Sequence, residues 1–131
     1  MDYLKLLNER NLNNKYAGLL GMTILDISEG YAKGKLVVNP ELYNPIGSIH
    51  GGCLFSLADS IGGAAAYSHG KPITTVSGSI NYLRAAIDTK EIIAIAKEVK
   101  YGKRIMVYDV ELFDDQGELL AKCSFTYYSL D

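Results

Sequence analysis

The stretch Gly51-Gly52-Cys53-Leu54-Phe55-Ser56-Leu57-Ala58-Asp59-Ser60-Ile61-Gly62-Gly63-Ala64-Ala65-Ala66-Tyr67-Ser68 decides the fold. Leu54, Leu57, Ala58, Ile61, Ala64 and Ala65 recur at helical spacing, which marks one buried stripe on a helix. Ser68, His69 and Gly70 end it. Upstream, Pro40 to Ile49 has loop composition, with two prolines, Asn44 and Gly47. Downstream the period changes to two. Thr74, Val76, Gly78, Ile80 and Tyr82 alternate with Thr75, Ser77, Ser79 and Asn81, predicting a strand with hydroxyls and an amide on one sheet face.

Further outward the pattern is all strand. Gly18 to Ser28 and Tyr31 to Asn39 read as two strands joined by Glu29-Gly30, a hairpin. Three more are expected near Glu91 to Tyr101, Arg104 to Phe113 and Leu119 to Tyr128, with turns at Gly102-Lys103 and Asp114-Asp115-Gln116-Gly117 that imply antiparallel pairing. Asp2 to Glu9 is expected to be a short leading helix, ended by Asn11 to Asn14, so that residues 1–15 form an arm. An antiparallel sheet with one long helix must bury its apolar face on that helix, which makes the class α+β and excludes a doubly wound fold. Strand order does not follow from the pattern.

At 131 residues, 48% hydrophobic and 21% charged, the chain is expected to be one globular domain over residues 1–131. Thirteen Lys and Arg against fifteen Asp and Glu give a formal charge of −2, so no overall positive field draws in nucleic acid. The apolar stretches are broken by Asp59, Lys97 or Glu98 before they reach the ~20 residues of a membrane span. The polar N-terminus has no secretory pattern, and Cys53 and Cys123 form no CxxC; both point to a cytoplasmic protein.

The densest chemistry lies at the start of the long helix, in Asn44-Pro45-Ile46-Gly47-Ser48-Ile49-His50-Gly51-Gly52-Cys53. The N–H groups of Gly51 and Gly52 open the helix without intrahelical acceptors, at the positive end of its dipole, where an oxyanion would be stabilised. The plainer reading is that the glycine pair only bends the chain into the helix. Asp59 is a short carboxylate in mid-helix, with Gly62 and Gly63 three and four residues on. Each glycine weakens a helix by about 1 kcal/mol relative to alanine, so the pair is expected to serve close approach of a second helix. Gly51 and Asp59 are separated by ~12 Å of helix rise, too far to address one carbonyl. Two helices running antiparallel across a two-fold axis would bring Gly51 of one beside Asp59 of the other, giving two equivalent sites in a dimer.

Asn44-x-x-Gly47-x-x-His50-Gly51-Gly52 followed by Asp59, then Thr75 and Asn81-Tyr82-Leu83-Arg84, resembles the phenylacetate-degradation (PaaI-like) group of hotdog-fold acyl-CoA thioesterases. The resemblance runs from about Gly18 to Tyr128 and includes Tyr101-Gly102-Lys103-Arg104 before the fifth strand. It implies a hotdog fold, a curved antiparallel sheet wrapped around one long central helix. It also implies hydrolysis of a coenzyme A thioester, with Asp59 as nucleophile or general base and the Gly51 N–H polarising the carbonyl. Asn44 would orient the water or the carbonyl, His50 would hold the loop on the sulfur side, and Thr75 would support the water. No metal or redox cofactor is expected, coenzyme A being part of the substrate. The expected assembly is an obligate dimer, with a tetramer built as a dimer of dimers.

Gly52, Arg84, Lys100, Lys103 and Arg104 are candidates to meet the coenzyme A portion, the cations through its phosphates. Charged hairpin ends are also commonly just solvated. Phe55, Tyr67 and Tyr82 are candidates for the acyl pocket, and fit aromatic or aliphatic groups alike. Cys53 at the helix start, three residues after His50, offers a competing thiol nucleophile, although no third group is evident to orient the histidine. His50 and His69, at opposite ends of the helix, exclude a shared metal site. Two other functions use the same fold: an acyl-CoA sensor or carrier that binds without turnover, and a hydratase or dehydratase in which a histidine and an acid face the acyl chain.

Overall fold

The structure is a computed structural model and describes residues 1–131. Asp2 caps α1 (Tyr3–Asn13) by accepting from the Lys5 N–H, and Asn14 then caps α2 (Lys15–Leu20) by accepting from the Ala17 N–H. Gly21, at φ +88°, stops α2 in the left-handed conformation. This corrects two expectations. The leading helix runs past Glu9 to Asn13, and residues 18–20 are helix, so the first strand begins at Met22. Asparagines that read as a turn act as a helix end and a helix cap, a role that a short polar side chain fills equally well.

The hairpin β1 (Met22–Ser28) and β2 (Tyr31–Val37) turns at Gly30, φ +70°. A loop with one 3-10 turn (Pro40–Leu42) leads to α3 (Gly51–Tyr67), followed by β3 (Ile73–Tyr82), β4 (Glu91–Tyr101), β5 (Ile105–Phe113) and β6 (Leu119–Ser129). These lie where the residue patterns place them, apart from a few residues at the ends. The six strands form one antiparallel sheet in the order β1-β2-β4-β5-β6-β3. The α3 crossover thus carries the chain from β2, near one side of the sheet, to β3 at the opposite edge.

The core is the contact between α3 and the sheet. Leu57, Ala58, Ala64 and Ala65 of the predicted stripe are fully buried, against Leu36, Ile92, Ala94, Tyr108, Val110, Phe125 and Tyr127. Alanine on the helix and glycine at Gly34 and Gly78 let the two layers approach closely. A Cβ on Gly34 would strike Ile61, and one on Gly78 would strike Phe125 and Phe55. Bulges between Ile24 and Asp26, Thr75 and Ser77, and Glu98 and Lys100 bend the strands around the helix. No helix is long and apolar enough to cross a membrane.

β3 is exceptional. It is bonded only to β6, and eight of its ten residues are exposed in the isolated subunit.

Candidate active site

The Asp59 side chain leaves α3 on the flank that faces β3 and β6. Its Oδ1 accepts from the Thr75 hydroxyl at 2.9 Å and from the Tyr127 hydroxyl at 3.2 Å, and the same Tyr127 group donates to the Asp59 backbone carbonyl at 3.1 Å. The carboxylate is half-buried. Burial, and then the adjacent Asp59 charge, push the Tyr127 phenol well above its ordinary range, so it stays protonated and donates. Tyr127 is a residue that the sequence reading missed. It lies 68 residues from Asp59, and nothing local marks it.

Its place explains Gly62. A Cβ there would collide with the Tyr127 hydroxyl and press on Val110, so the missing side chain makes room for the donor to Asp59. The glycine pair was expected to serve a second helix. Within the subunit, Gly62 and Gly63 are buried, and Gly62 faces the sheet.

Thr75 reaches Asp59 through a bulge. The simple alternation put Thr75 on one face with Ser77, Ser79 and Asn81. In the structure Thr75 pairs with Tyr127 and Ser77 with Thr126, leaving Val76 unpaired between them. The extra residue reverses the alternation, so Thr75 shares the helix-facing side with Gly78, Ile80 and Tyr82. Ser79 and Asn81 line a groove on the outer face with Asp109, Glu111 and Lys122. The predicted polar face is therefore real from Ser77 onward but does not contain Thr75.

The helix start forms a second group. His50 is the N-cap of α3, and its Nδ1 accepts from the Gly52 N–H at 2.8 Å. The neutral ring then carries its proton on Nε2. Gly52 is thus satisfied, contrary to the expectation that both glycines present free donors. Gly51 keeps an unpaired N–H, while its carbonyl accepts from the Tyr82 hydroxyl at 2.7 Å. Asn44 is turned into its own loop. Its Oδ1 accepts from the Ile46 and Ser48 N–H groups at 3.1 Å, and its Nδ2 donates to Ser48 Oγ at 2.8 Å. Asn44, Gly51, Tyr82 and Arg84 line one cavity of about 370 Å³ at this end of the helix.

The structure thus gathers the predicted residues into two groups on one helix. Asp59 and Thr75 form one, and Asn44, His50, Gly51, Gly52, Tyr82 and Arg84 the other. Eight residues of helix rise, ~12 Å, separate Gly51 from Asp59. Phe55 lies between them, its ring edge-on to Phe125 at 5.2 Å.

The cations also divide. Arg84 is exposed at the helix-start end, 3.9 Å from Glu118. Lys100, Lys103 and Arg104 belong to the β4–β5 turn, where Tyr101 stacks on His69 just past the end of α3. Arg104 donates to the Asp131 carbonyl at 2.7 Å, so part of its donor capacity holds the C-terminal residue. Cys53 is buried and free, and burial raises its thiol above the ordinary value. A thiol that resists ionisation is a weaker nucleophile, which counts against the competing cysteine reading.

A curved antiparallel sheet wrapped around one long helix is the hotdog fold. The chain belongs to the thioesterase superfamily, whose family model matches residues 46–121. Among similar proteins, the acyl-coenzyme A thioesterase PaaI of Escherichia coli is 33% identical over 109 residues, covering 83% of this chain and 78% of that protein. The 1,4-dihydroxy-2-naphthoyl-CoA hydrolase of Escherichia coli is 26% identical over 129 residues, covering 96% of this chain and 91% of that one. The solved structure of the Escherichia coli PaaI protein superposes with a TM-score of 0.93 at 28% identity, covering 98% of this chain and 93% of the other.

Proposed function

We propose that the protein hydrolyses the thioester bond of an acyl-coenzyme A to the free acid and coenzyme A. The observation that carries this reading is the Asp59 carboxylate, held by two hydroxyl donors on the open flank of α3. A water that Asp59 deprotonates attacks the carbonyl carbon, or Asp59 attacks it directly and water then cleaves the resulting acyl anhydride; in either case the C–S bond breaks as the coenzyme A sulfur leaves and takes up a proton. Attack develops negative charge on the carbonyl oxygen, and the unpaired Gly51 N–H at a helix N-terminus is suited to receive it. The reaction transfers no electrons and needs no resident metal or redox cofactor.

The site is completed by a second copy. Gly51 and Asp59 stand too far apart to act on one carbonyl, and the α3 flank that carries Asp59 borders β3, the open edge strand. Val76, Tyr82 and Leu83 are more than half exposed there, and a long unpaired edge strand with apolar side chains is normally covered. A two-fold axis beside β3 pairs the two edges and sets the Gly51 of one subunit against the Asp59 of the other. The same axis carries the partner's Lys100, Lys103 and Arg104 from the far end of its helix toward the Arg84 end, where they can meet the coenzyme A phosphates. The cytosol, where Cys53 and Cys123 stay reduced, is the compartment this reading favours. Further assembly as a dimer of dimers is part of the same proposal.

The test is free-thiol release from a panel of acyl-CoAs by the wild type and by Asp59→Asn. Removing the base or nucleophile while keeping its shape should lower kcat by at least ~100-fold with the fold intact. Tight binding of acyl-CoA without thiol release by the wild type would instead favour the sensor or carrier reading.

A further inference from the structure

His69, just past the end of α3, is a polar ring packed among other elements on several sides. Its side chain is 9% exposed, and its Nε2 lies 2.6 Å from Oε1 of Glu98 on β4. The same oxygen accepts from the hydroxyl of Tyr108 on β5 at 2.8 Å. Burial, and then the bond to Glu98, keep the Tyr108 phenol protonated, so Tyr108 is the donor there. His69 Nε2 carries the second proton that the Glu98 carboxylate accepts. Glu29 of the β1–β2 turn is exposed and stands 3.9 Å from Nδ1. The backbone under the ring is fixed as well: Ser68 Oγ donates to the Ala65 carbonyl at 2.6 Å and accepts from the Gly30 N–H at 2.8 Å. The end of α3 is thus tied to the β1–β2 turn, to β4 and to β5, by groups that take no part in the chemistry at Asp59.

The anchored ring in turn holds Tyr101. The two rings are stacked, with centroids 3.7 Å apart and planes 13° from parallel. Tyr101 ends β4, with Lys100 before it and Lys103 and Arg104 in the turn that follows. This end of the strand is bent and open. Residues 97–101 are exposed, and a bulge leaves Val99 unpaired between Glu98, opposite Tyr108, and Lys100, opposite Val107. A bent, exposed strand end presents its cations in one direction only if something fixes it, and the stacked His69 ring does so from the helix side. The helix that supplies this hold also carries the carboxylate. Eight residues of rise, ~12 Å, separate Asp59 from Tyr67 at the end of α3, and His69 follows two residues later. One rigid element therefore places both the carboxylate and the cationic turn of a subunit, at a separation of the order that the pantetheine arm of coenzyme A spans between its sulfur and its phosphates.

We propose that His69 is a positioning residue for the coenzyme A portion of the substrate: through Tyr101 it fixes the β4–β5 turn so that Lys100, Lys103 and Arg104 meet the phosphates of a thioester whose carbonyl lies at Asp59. The His69 side chain is too buried to grip a phosphate itself and acts through the turn. The inference rests on the thioesterase reading and deepens it, by assigning what aligns the phosphate contacts with the carboxylate.

The experiment takes the acyl-CoA from which thiol is released fastest and compares it with the pantetheine thioester of the same acyl group, which keeps the reacting bond and lacks every phosphate. The wild type should show a KM at least ~10-fold lower for the acyl-CoA, because phosphate contacts remote from the reacting carbon act alike on ground and transition states. His69→Ala should raise KM for the acyl-CoA by at least ~5-fold with kcat within about twofold, and should leave kcat/KM for the pantetheine thioester within about twofold. His69→Phe, which keeps a ring against Tyr101, should hold KM nearer to the wild-type value. Where His69→Ala does not fold, Tyr101→Leu, made on the exposed side of the stack, should give the same split between the two substrates. An equal loss on both substrates in the folded variant overturns the proposal, since the cluster then only supports the fold; unchanged kinetics on both overturns it too. Thiol release by a wild type that does not distinguish the two substrates defeats this inference and leaves the hydrolysis standing. No release from any acyl-CoA defeats the thioesterase reading and this inference with it.

Discussion

The phenol of Tyr127 donates to Oδ1 of Asp59 at 3.2 Å, from a position made possible by the absent side chain of Gly62. A hydrogen bond to a charged group is worth about 1.5–3 kcal/mol. Tyr127→Phe keeps the ring and removes only the donor. We expect kcat to fall by ~10-fold, with KM nearly unchanged, since the bond orients the carboxylate rather than the substrate. Steady-state thiol release checks this, and an unaltered kcat would show that Thr75 alone holds Asp59.

Gly62 and Tyr127 should be energetically coupled. In the wild type Gly62→Ala forces the Tyr127 hydroxyl aside, and both stability and kcat should drop. In a Tyr127→Phe background the collision with the hydroxyl is gone, and the helix-forming gain of alanine over glycine, about 1 kcal/mol, offsets much of the remaining crowding from Val110. Denaturant unfolding of the four proteins should therefore give a non-additive cycle. Strict additivity would mean that the two residues do not touch.

Mixed dimers should complement. Asp59→Asn and Gly51→Val are each expected to be inactive as homodimers, the valine crowding both the oxyanion position and the Tyr82 hydroxyl that bonds the Gly51 carbonyl. A heterodimer places both defects in one interface site and neither in the other, so up to about half of wild-type activity per mixed dimer should return. Mixed dimers confirmed by mass that stay inactive would refute the shared site, provided that Gly51→Val still dimerises by itself.

Alkali should destabilise the fold in a defined window. Burial lifts the Cys123 thiol from an ordinary 9.0 to about 12, and lifts the Tyr108 and Tyr127 phenols well above their ordinary 10.0. Each group is raised in the folded state, so its stabilising contribution is complete below its unfolded pKa and is lost as pH rises through the folded one. Stability to guanidinium should be flat up to about pH 9 and decline above it. Two of the ten tyrosines should gain phenolate absorbance only as the protein unfolds. Ionisation of all ten while the circular dichroism remains native would contradict the burial of Tyr108 and Tyr127 against the helix.

The local sequence was enough for the long helix and for the strands after it, because periods of 3.6 and 2 are properties of neighbouring residues. The 68-residue reach from Tyr127 to Asp59 left no such trace. A glycine needed for that reach looks, in sequence, like a glycine needed for any close approach. The strand order was equally invisible, since antiparallel turns fix only which consecutive strands pair. Tertiary structure decided that β3 lies on the outer edge next to β6, and with it where the open flank of the site falls. It also decided the face of Thr75. Alternation assigns faces correctly only while each residue advances the pairing by one, and the bulge at Val76 reverses every face on one side of it. Because a bulge is set by how the strand must curve over α3, the hydroxyl that reaches Asp59 could be located only once the sheet was wrapped around the helix.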